Sequence, residues 1–370
     1  MKLALDARGV SWYKGTGIGT YSYNLFGELL NNYKENFYTF FWSGSDYDEF
    51  NKDNSSIVMT SNRHQIFFEN YYIPEFINKH NINVYHIPQN GIGLSKNINC
   101  KKIVTIHDLI PYIMPETVGK GYLRKFLQDI PYIIENTDGI LTVSYHSKKD
   151  ILKFFPNFPN DKIFVTPLAA DNSFKPLDKN LCLKDVQSNY NFSNPYILYI
   201  GGFSARKNVY GLIKAFKNSI TSLNSKLNLL IVGALKDEGK EMLNLVNSLN
   251  IQNEVIFTDF VDNSYLPILY NGCEAFVYPS YYEGFGLPPL EAMSCNIPVI
   301  TSNITSIPEV VSDCGILIDP SNSDSLSNAL VNLLNDDNLK HTLSKKGYER
   351  SREFSWKNTS IKTFEAYNSL

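Results

Sequence analysis

Two glutamates, Glu283 and Glu291, flank the stretch Gly-Phe-Gly-Leu-Pro-Pro-Leu at residues 284–290. Gly284 and Gly286 permit backbone conformations and a close ligand approach that a Cβ would obstruct. Pro288 and Pro289 suit the first turn of a helix, where a missing N–H costs nothing. A helix is therefore predicted to start near Pro288, with Glu291 in its first turn. The positive end of such a helix favours an anion such as a diphosphate. A carboxylate is a poor ion partner there, but it accepts hydroxyl protons well, which suits a sugar or a ribose diol. Without such a ligand, Glu291 would complement the helix dipole and Glu283 would be a solvated loop charge.

A second group lies in Gly-Gly-Phe-Ser-Ala-Arg-Lys-Asn at residues 201–208, after the apolar run Tyr196–Ile200 and before a helical pattern over 209–220. Arg206 and Lys207 sit just ahead of that helix. With its N-terminus they could converge on a diphosphate whose charge grows as a sugar departs, or they could be a basic pair on a solvated loop. Gly-Thr-Gly-Ile-Gly at 15–19 is a third glycine loop, but no acidic residue completes a dinucleotide fingerprint. His107 stands where the β-rich run 102–106 stops; a lone histidine there is either structural or functional, and Asp108 orients the turn.

These residues must be carried by strands that stop where the loops begin. Apolar runs at 2–7, 37–42, 84–87, 102–106, 139–144 and 162–166 alternate with helical patterns at 20–33, 65–79 and up to 155, which predicts a parallel sheet covered by helices. Residues 171–193 are polar and aperiodic, as a linker would be. A second set of strands at 196–200, 227–232, 255–258, within 275–280 and at 297–301 alternates with helices at 209–220, 238–249 and 264–271, and a last helix begins at Phe354-Ser-Trp356. The predicted division is 1–172, a linker at 173–194, and 195–354. No internal repeat beyond these similar halves is visible.

Bulk properties exclude several classes. A chain of 370 residues with 43% hydrophobic content has material for two cores, and its net charge of -3 gives no footprint for nucleic acid. Five widely spaced cysteines, at 100, 182, 273, 295 and 314, lack metal-ligand spacing and read as reduced thiols. No run approaches the ~18 apolar residues of a membrane span, so a cytoplasmic protein is expected. The mixture of Lys120, Arg124 and Lys125 with Tyr122, Leu123 and Phe126 is a solvated helix start or a contact with anionic lipid headgroups.

The glutamate pair with seven intervening residues resembles the signature of the retaining nucleotide-sugar glycosyltransferases of glycosyltransferase family 4. Leu-Asp-Ala-Arg at 5–8, Gly-Ile-Gly-Thr-Tyr at 17–21 and Thr-Ile-His-Asp-Leu-Ile-Pro at 105–111 look like its mannosyltransferase-B-like branch. That resemblance implies an α/β chain of GT-B architecture: two doubly wound Rossmann-like domains facing across a cleft, with the C-terminal helix crossing back at 355–370. It also implies transfer of a hexose from a nucleotide sugar, GDP-mannose first and UDP-sugars as the alternative, to a saccharide or lipid-linked acceptor. Neither metal nor cofactor is implied. His107 would face the transferred sugar, and Gly17 and Gly19 would lie near the donor diphosphate and acceptor. Arg206 and Lys207 would stabilise the leaving group, helped by backbone N–H groups around Phe285, Gly286 and Leu287. Glu283 would hold sugar hydroxyls and Glu291 the ribose, while the backbone at Phe260 and Val261 would rim the base unless Phe260 packs in the core. One departure is Gly202, where the commoner pattern has an arginine. A nucleotide-sugar epimerase and a catalytically silent complex subunit are the rival classes.

Overall fold

A computed structural model describes residues 1–235 and 237–370. The chain divides into two compact units, Met1–Leu168 with Ser355–Leu370, and Ala169–Phe354. The first is built on seven strands: β1 (Lys2–Asp6), β2 (Phe37–Trp42), β3 (Ser55–Met59), β4 (Val84–Ile87), β5 (Lys101–Ile106), β6 (Gly139–Thr142) and β7 (Ile163–Val165). All are parallel, in the order β3-β2-β1-β4-β5-β6-β7. Central strands buried on both faces read as continuous apolar runs, which is why Phe37–Trp42 and Lys101–Ile106 were legible. Edge strand β3, half-buried and opening with two serines, was not.

The second unit carries β8 (Tyr196–Ile200), β9 (Asn228–Val232), β10 (Val255–Phe257), β11 (Ala275–Tyr278), β12 (Val299–Ser302) and β13 (Ile316–Ile318), parallel in the order β10-β9-β8-β11-β12-β13. The strand order changes its direction of progression across the sheet between β1 and β4 in one unit and between β8 and β11 in the other. At such switch points neighbouring loops diverge to opposite faces and leave a crevice at the strands' carboxyl ends.

Three expectations are corrected. Residues 179–190 are not an aperiodic linker. They form the helix Lys179–Tyr190, capped by the Asp178 side chain and buried at Cys182 and Val186. Only a narrow apolar stripe faces inward, so its periodicity was weak. The helix after the first glycine loop starts at Gly17, not residue 20, because the Thr16 side chain caps it by accepting from the Gly19 N–H. The helix bearing Glu291 is Leu287–Ser294, so Glu291 lies in its second turn.

The helix Trp356–Asn368 belongs to the first unit, where it packs on the helix Gly17–Asn32 and on β6 and β7. A buried polar chain fastens it. The Tyr367 hydroxyl lies 2.7 Å from His86 Nδ1, His86 Nε2 2.7 Å from Thr105 Oγ1, and Thr105 Oγ1 3.0 Å from the Tyr21 hydroxyl. All five cysteines are free thiols. Among the described residues no helix is long and apolar enough to cross a membrane, and no group of three or more His, Cys, Asp or Glu could hold a metal ion.

Candidate active site

At the switch point of the second unit, the loop after β11 meets the loop after β8. Glu283 is buried, and its Oε1 accepts from Lys207 Nζ at 2.7 Å and from Arg206 Nη1 at 3.1 Å. Burial alone would raise the Glu283 pKa, but the two cations outweigh it and hold the carboxyl below its usual range. Arg206 Nη1 also donates to the Tyr282 carbonyl at 3.1 Å, and Lys207 Nζ donates to the Tyr278 hydroxyl. Two cations thus share one carboxylate. The cluster keeps a net positive charge in a poorly solvated place, an environment that favours an incoming anion.

The loop itself is braced from behind. The Ser306 hydroxyl lies 2.8 Å from both the Glu283 and Phe285 carbonyls, and Tyr281 N–H donates to the Arg206 carbonyl at 2.7 Å. Gly286 has φ +115°, and a Cβ there would lie 2.7 Å from Ile307 Cδ1. This is where the chain needs a glycine. The helix-start donors are fewer than expected, because Pro288 and Pro289 have no N–H. What remains is local: the backbone N–H groups of Phe285, Gly286 and Leu287 donate to no other described residue. Phe285 is itself buried against Phe354, with ring centroids 5.9 Å apart, and Gly284 is buried.

Glu291 is half-buried and accepts a 2.8 Å hydrogen bond from the Tyr270 hydroxyl. Burial, together with nearby Asp171, outweighs that bond and pushes its pKa up to about 8. The two glutamates therefore differ in charge at neutral pH. Phe260 follows β10 and is 74% exposed, which rules out the core-packing alternative for its side chain; Val261 beside it is half-buried. A Cβ at Gly202 would meet open space.

In the first unit His107 ends β5, buried, with its ring edge-on to Tyr21 at 4.9 Å. Its Nε2 lies 2.9 Å from the Pro88 carbonyl, which can only accept, so Nε2 carries the proton and Nδ1 keeps a lone pair. Burial lowers its pKa to about 4, so the ring is neutral near pH 7. Asp108 Oδ1 accepts from the Ile110 N–H at 3.1 Å and orients the turn, as anticipated. Gly17 and Gly19 are dissimilar: a Cβ on Gly17 meets nothing, whereas one on Gly19 would lie 2.2 Å from the Tyr13 carbonyl oxygen. Gly19 is thus required for packing, and Gly17 leaves the helix start open.

Sequence reasoning missed Tyr270 and Tyr278, which hold Glu291 and Lys207. The only signal was a tyrosine at the carboxyl end of an apolar run, which is common in cores.

Two doubly wound units, one with a cationic, N–H-lined loop at its switch point, define a GT-B glycosyltransferase. Residues 184–350 match the family Glycos_transf_1, glycosyl transferases group 1. The chain is 34% identical over 270 residues to the O-antigen chain mannosyltransferase B of Escherichia coli, covering 73% of this chain and 71% of that one. It is 28% identical over 278 residues to the Escherichia coli serotype-specific mannosyltransferase WbdA, 74% of this chain but 34% of that longer protein. Among solved structures, the sucrose-phosphate synthase of Thermosynechococcus elongatus aligns over 100% of this chain and 99% of its own with a TM-score of 0.75 at 22% identity. Anabaena HepE, in complex with UDP and glucose, gives 0.77 at 18% identity over 100% and 99%. The chain belongs to the group 1 glycosyl transferases, in the mannosyltransferase-like branch of glycosyltransferase family 4, and is a hexosyltransferase.

Proposed function

We propose that this enzyme transfers mannose from GDP-mannose to a saccharide or lipid-linked acceptor in surface polysaccharide assembly, with retention at the anomeric carbon and without a metal. The observation that carries this is the Arg206–Glu283–Lys207 cluster beside the N–H groups of Phe285, Gly286 and Leu287. Cations and N–H donors on one loop suit a diphosphate leaving group, whose charge they stabilise as it develops. The acceptor hydroxyl forms its bond to the anomeric carbon on the face from which the phosphate oxygen departs. That oxygen takes the hydroxyl proton, so no protein nucleophile is needed.

Glu283 accepts from sugar hydroxyls, Glu291 from the ribose diol, and the exposed Phe260 with Val261 rims the base. His107, neutral and with Nδ1 as acceptor, takes a hydrogen bond from a sugar hydroxyl and does not act as an acid. Gly17 admits ligand at the helix start. The mannosyltransferase names of the relatives favour mannose. A nucleotide-sugar donor and free thiols suit the cytoplasm, and the basic and aromatic residues 120–126 suit a peripheral contact with the membrane.

The test incubates the enzyme with GDP-mannose or UDP-sugars and a mannose-terminated acceptor, with and without EDTA. An α-linked mannoside seen by NMR, formed equally in EDTA, is expected. A β-linked product, a UDP-sugar preference, or loss of activity in EDTA restored by magnesium would each overturn the corresponding part. An epimerised donor in the absence of acceptor would indicate the rival enzyme class.

A further inference from the structure

Residues 65–79 form one continuous helical run whose middle, Phe68–Tyr72, is a π-helical turn between the α-helical pieces Gln65–Phe67 and Ile73–Lys79. Such turns are rare and concentrate at functional positions, because the extra residue rotates the side chains beyond it. Here the rotation separates two kinds of residue. Inward, Glu69 Oε1 accepts from Arg8 Nη1 at 2.9 Å and from Gln65 Nε2 at 2.8 Å. Outward, Ile66, Phe67 and Tyr71 are 74%, 52% and 66% exposed, and Tyr72 is exposed beside them. The Phe67 ring centroid lies 6.3 Å from that of Tyr71 at 25° and 6.5 Å from that of Tyr72 at 41°. Contiguous aromatic surface of this kind is costly to leave in water unless something covers it.

The inward half ties this step to the catalytic edge of the sheet. Buried Arg8 grips Asp6, the last residue of β1, through Nε at 2.8 Å and Nη2 at 2.6 Å. Gln89 Nε2 donates to the same carboxylate at 2.8 Å, and its neighbour Pro88 accepts from His107. Gly93, at φ +98°, lets the loop after β4 lie on the ion pair; a Cβ there would be 2.6 Å from Arg8 Nη2 and 2.7 Å from Glu69 Oε1. A hydrogen-bonded chain therefore runs along the carboxyl ends of β5, β4 and β1, from the sugar-facing histidine to the π turn.

We propose that Phe67, Tyr71 and Tyr72 form a stacking platform for a saccharide chain, the part of the acceptor beyond the sugar that reacts. A pyranose offers a C–H face that is apolar and slightly positive, which matches the negative face of an aromatic ring. The tyrosine hydroxyls and the exposed Asn70 reach its hydroxyls. An anionic lipid surface fits less well. Between Arg63 and Lys79 the sequence has no lysine or arginine and carries Glu69 and Glu75. The inference rests on the transferase reading and adds to it where an extended acceptor lies.

The full chain is titrated with α-linked mannotetraose by saturation-transfer NMR, with phosphatidylglycerol–phosphatidylethanolamine vesicles by sedimentation, and with GDP by calorimetry. The wild type and Phe67→Tyr/Tyr71→Phe are expected to bind the tetrasaccharide alike. Phe67→Ala/Tyr71→Ala should bind it about tenfold more weakly or worse, with unchanged melting and GDP affinity because both side chains project into solvent. Equal tetrasaccharide binding by the alanine variant, or none by the wild type, alongside intact GDP binding, would overturn the platform alone. Vesicle binding that the alanine variant loses, without saccharide binding, would also overturn it and assign the face to lipid. Failure of the wild type to bind GDP would overturn the transferase reading itself.

Discussion

Glu283 and Glu291 are chemically identical and electrostatically opposite. Glu283 is held ionised by Lys207 and Arg206, so Glu283→Gln removes a carboxylate that competes with a diphosphate for both cations. Calorimetry should find nucleoside-diphosphate affinity retained or tightened, while kcat with saturating donor falls about 10²-fold from lost sugar positioning. Glu291→Gln should weaken diphosphate binding and lower kcat less. If the two variants exchanged these signatures, the ribose and sugar assignments would be reversed. A second consequence follows from the Glu291 pKa of about 8. Near pH 7 the free enzyme holds this carboxyl mostly protonated, whereas two ribose hydroxyls donate best to the ionised form. Binding should therefore release a proton at pH 7, visible as a buffer-dependent heat. Glu291→Gln should abolish that dependence.

At the scale of the element, the glycines separate conformational need from ligand need. Gly286 caps the helix Leu287–Ser294 at φ +115° with Ile307 against it, so Gly286→Ala should cost about 1–3 kcal/mol and disturb the neighbouring N–H donors. Both melting and diphosphate affinity should drop. Gly17 is the first residue of its helix and faces open space. Gly17→Ala should leave melting unchanged or raise stability by up to about 1 kcal/mol, yet lower turnover if a ligand approaches there. Unaltered turnover would remove Gly17 from the site. The helix Lys179–Tyr190 carries a further point: Lys179 reaches Glu274 at 2.8 Å, and Lys340 reaches the same side chain at 3.4 Å, so a segment that reads as linker is fastened to the second sheet.

On the scale of the whole chain, the buried histidines of the first unit and Glu291 of the second respond to pH in opposite directions. In the first, burial lowers His86 to about 3 and His107 to about 4, from an ordinary 6.5. Between those values and 6.5 the unfolded chain binds more protons than the native one, so this unit loses stability as pH falls through that window. In the second, Glu291 is raised from 4.5 to about 8. There the native state binds the extra proton, so stability falls as pH rises from 4.5 to about 8. Hydrogen exchange read by mass spectrometry should show protection of β4 and β5 weakening on acidification from pH 6.5. Protection of the helix Leu287–Ser294 should weaken as pH rises towards 8, and Glu291→Gln should flatten that change. Parallel behaviour of the two units would contradict the assigned burial of these groups.

Much of this molecule is decided locally. Central parallel strands must be apolar on both faces, so β1, β2, β4, β5 and β8 were readable from short windows. The Gly-Phe-Gly-Leu-Pro-Pro stretch specifies its own turn and helix start, because φ at Gly286 and the missing N–H groups are properties of those residues. Edge strand β3 opens with two serines, and β13, Ile316–Ile318, is apolar but only three residues long, so neither stood out as a run. Charge state lay further out of reach. Glu283 and its cations are 76 and 77 residues apart, and only the sheet's switch point brings them within 3.1 Å. Whether a carboxylate is ionised depends on what surrounds it, and chain order does not report that. The same holds for Glu69 and Arg8, 61 residues apart, and for the aromatic rings that their pairing turns outward. Residue types and backbone preferences are written along the chain, whereas desolvation and the company of distant charges exist only once it has folded.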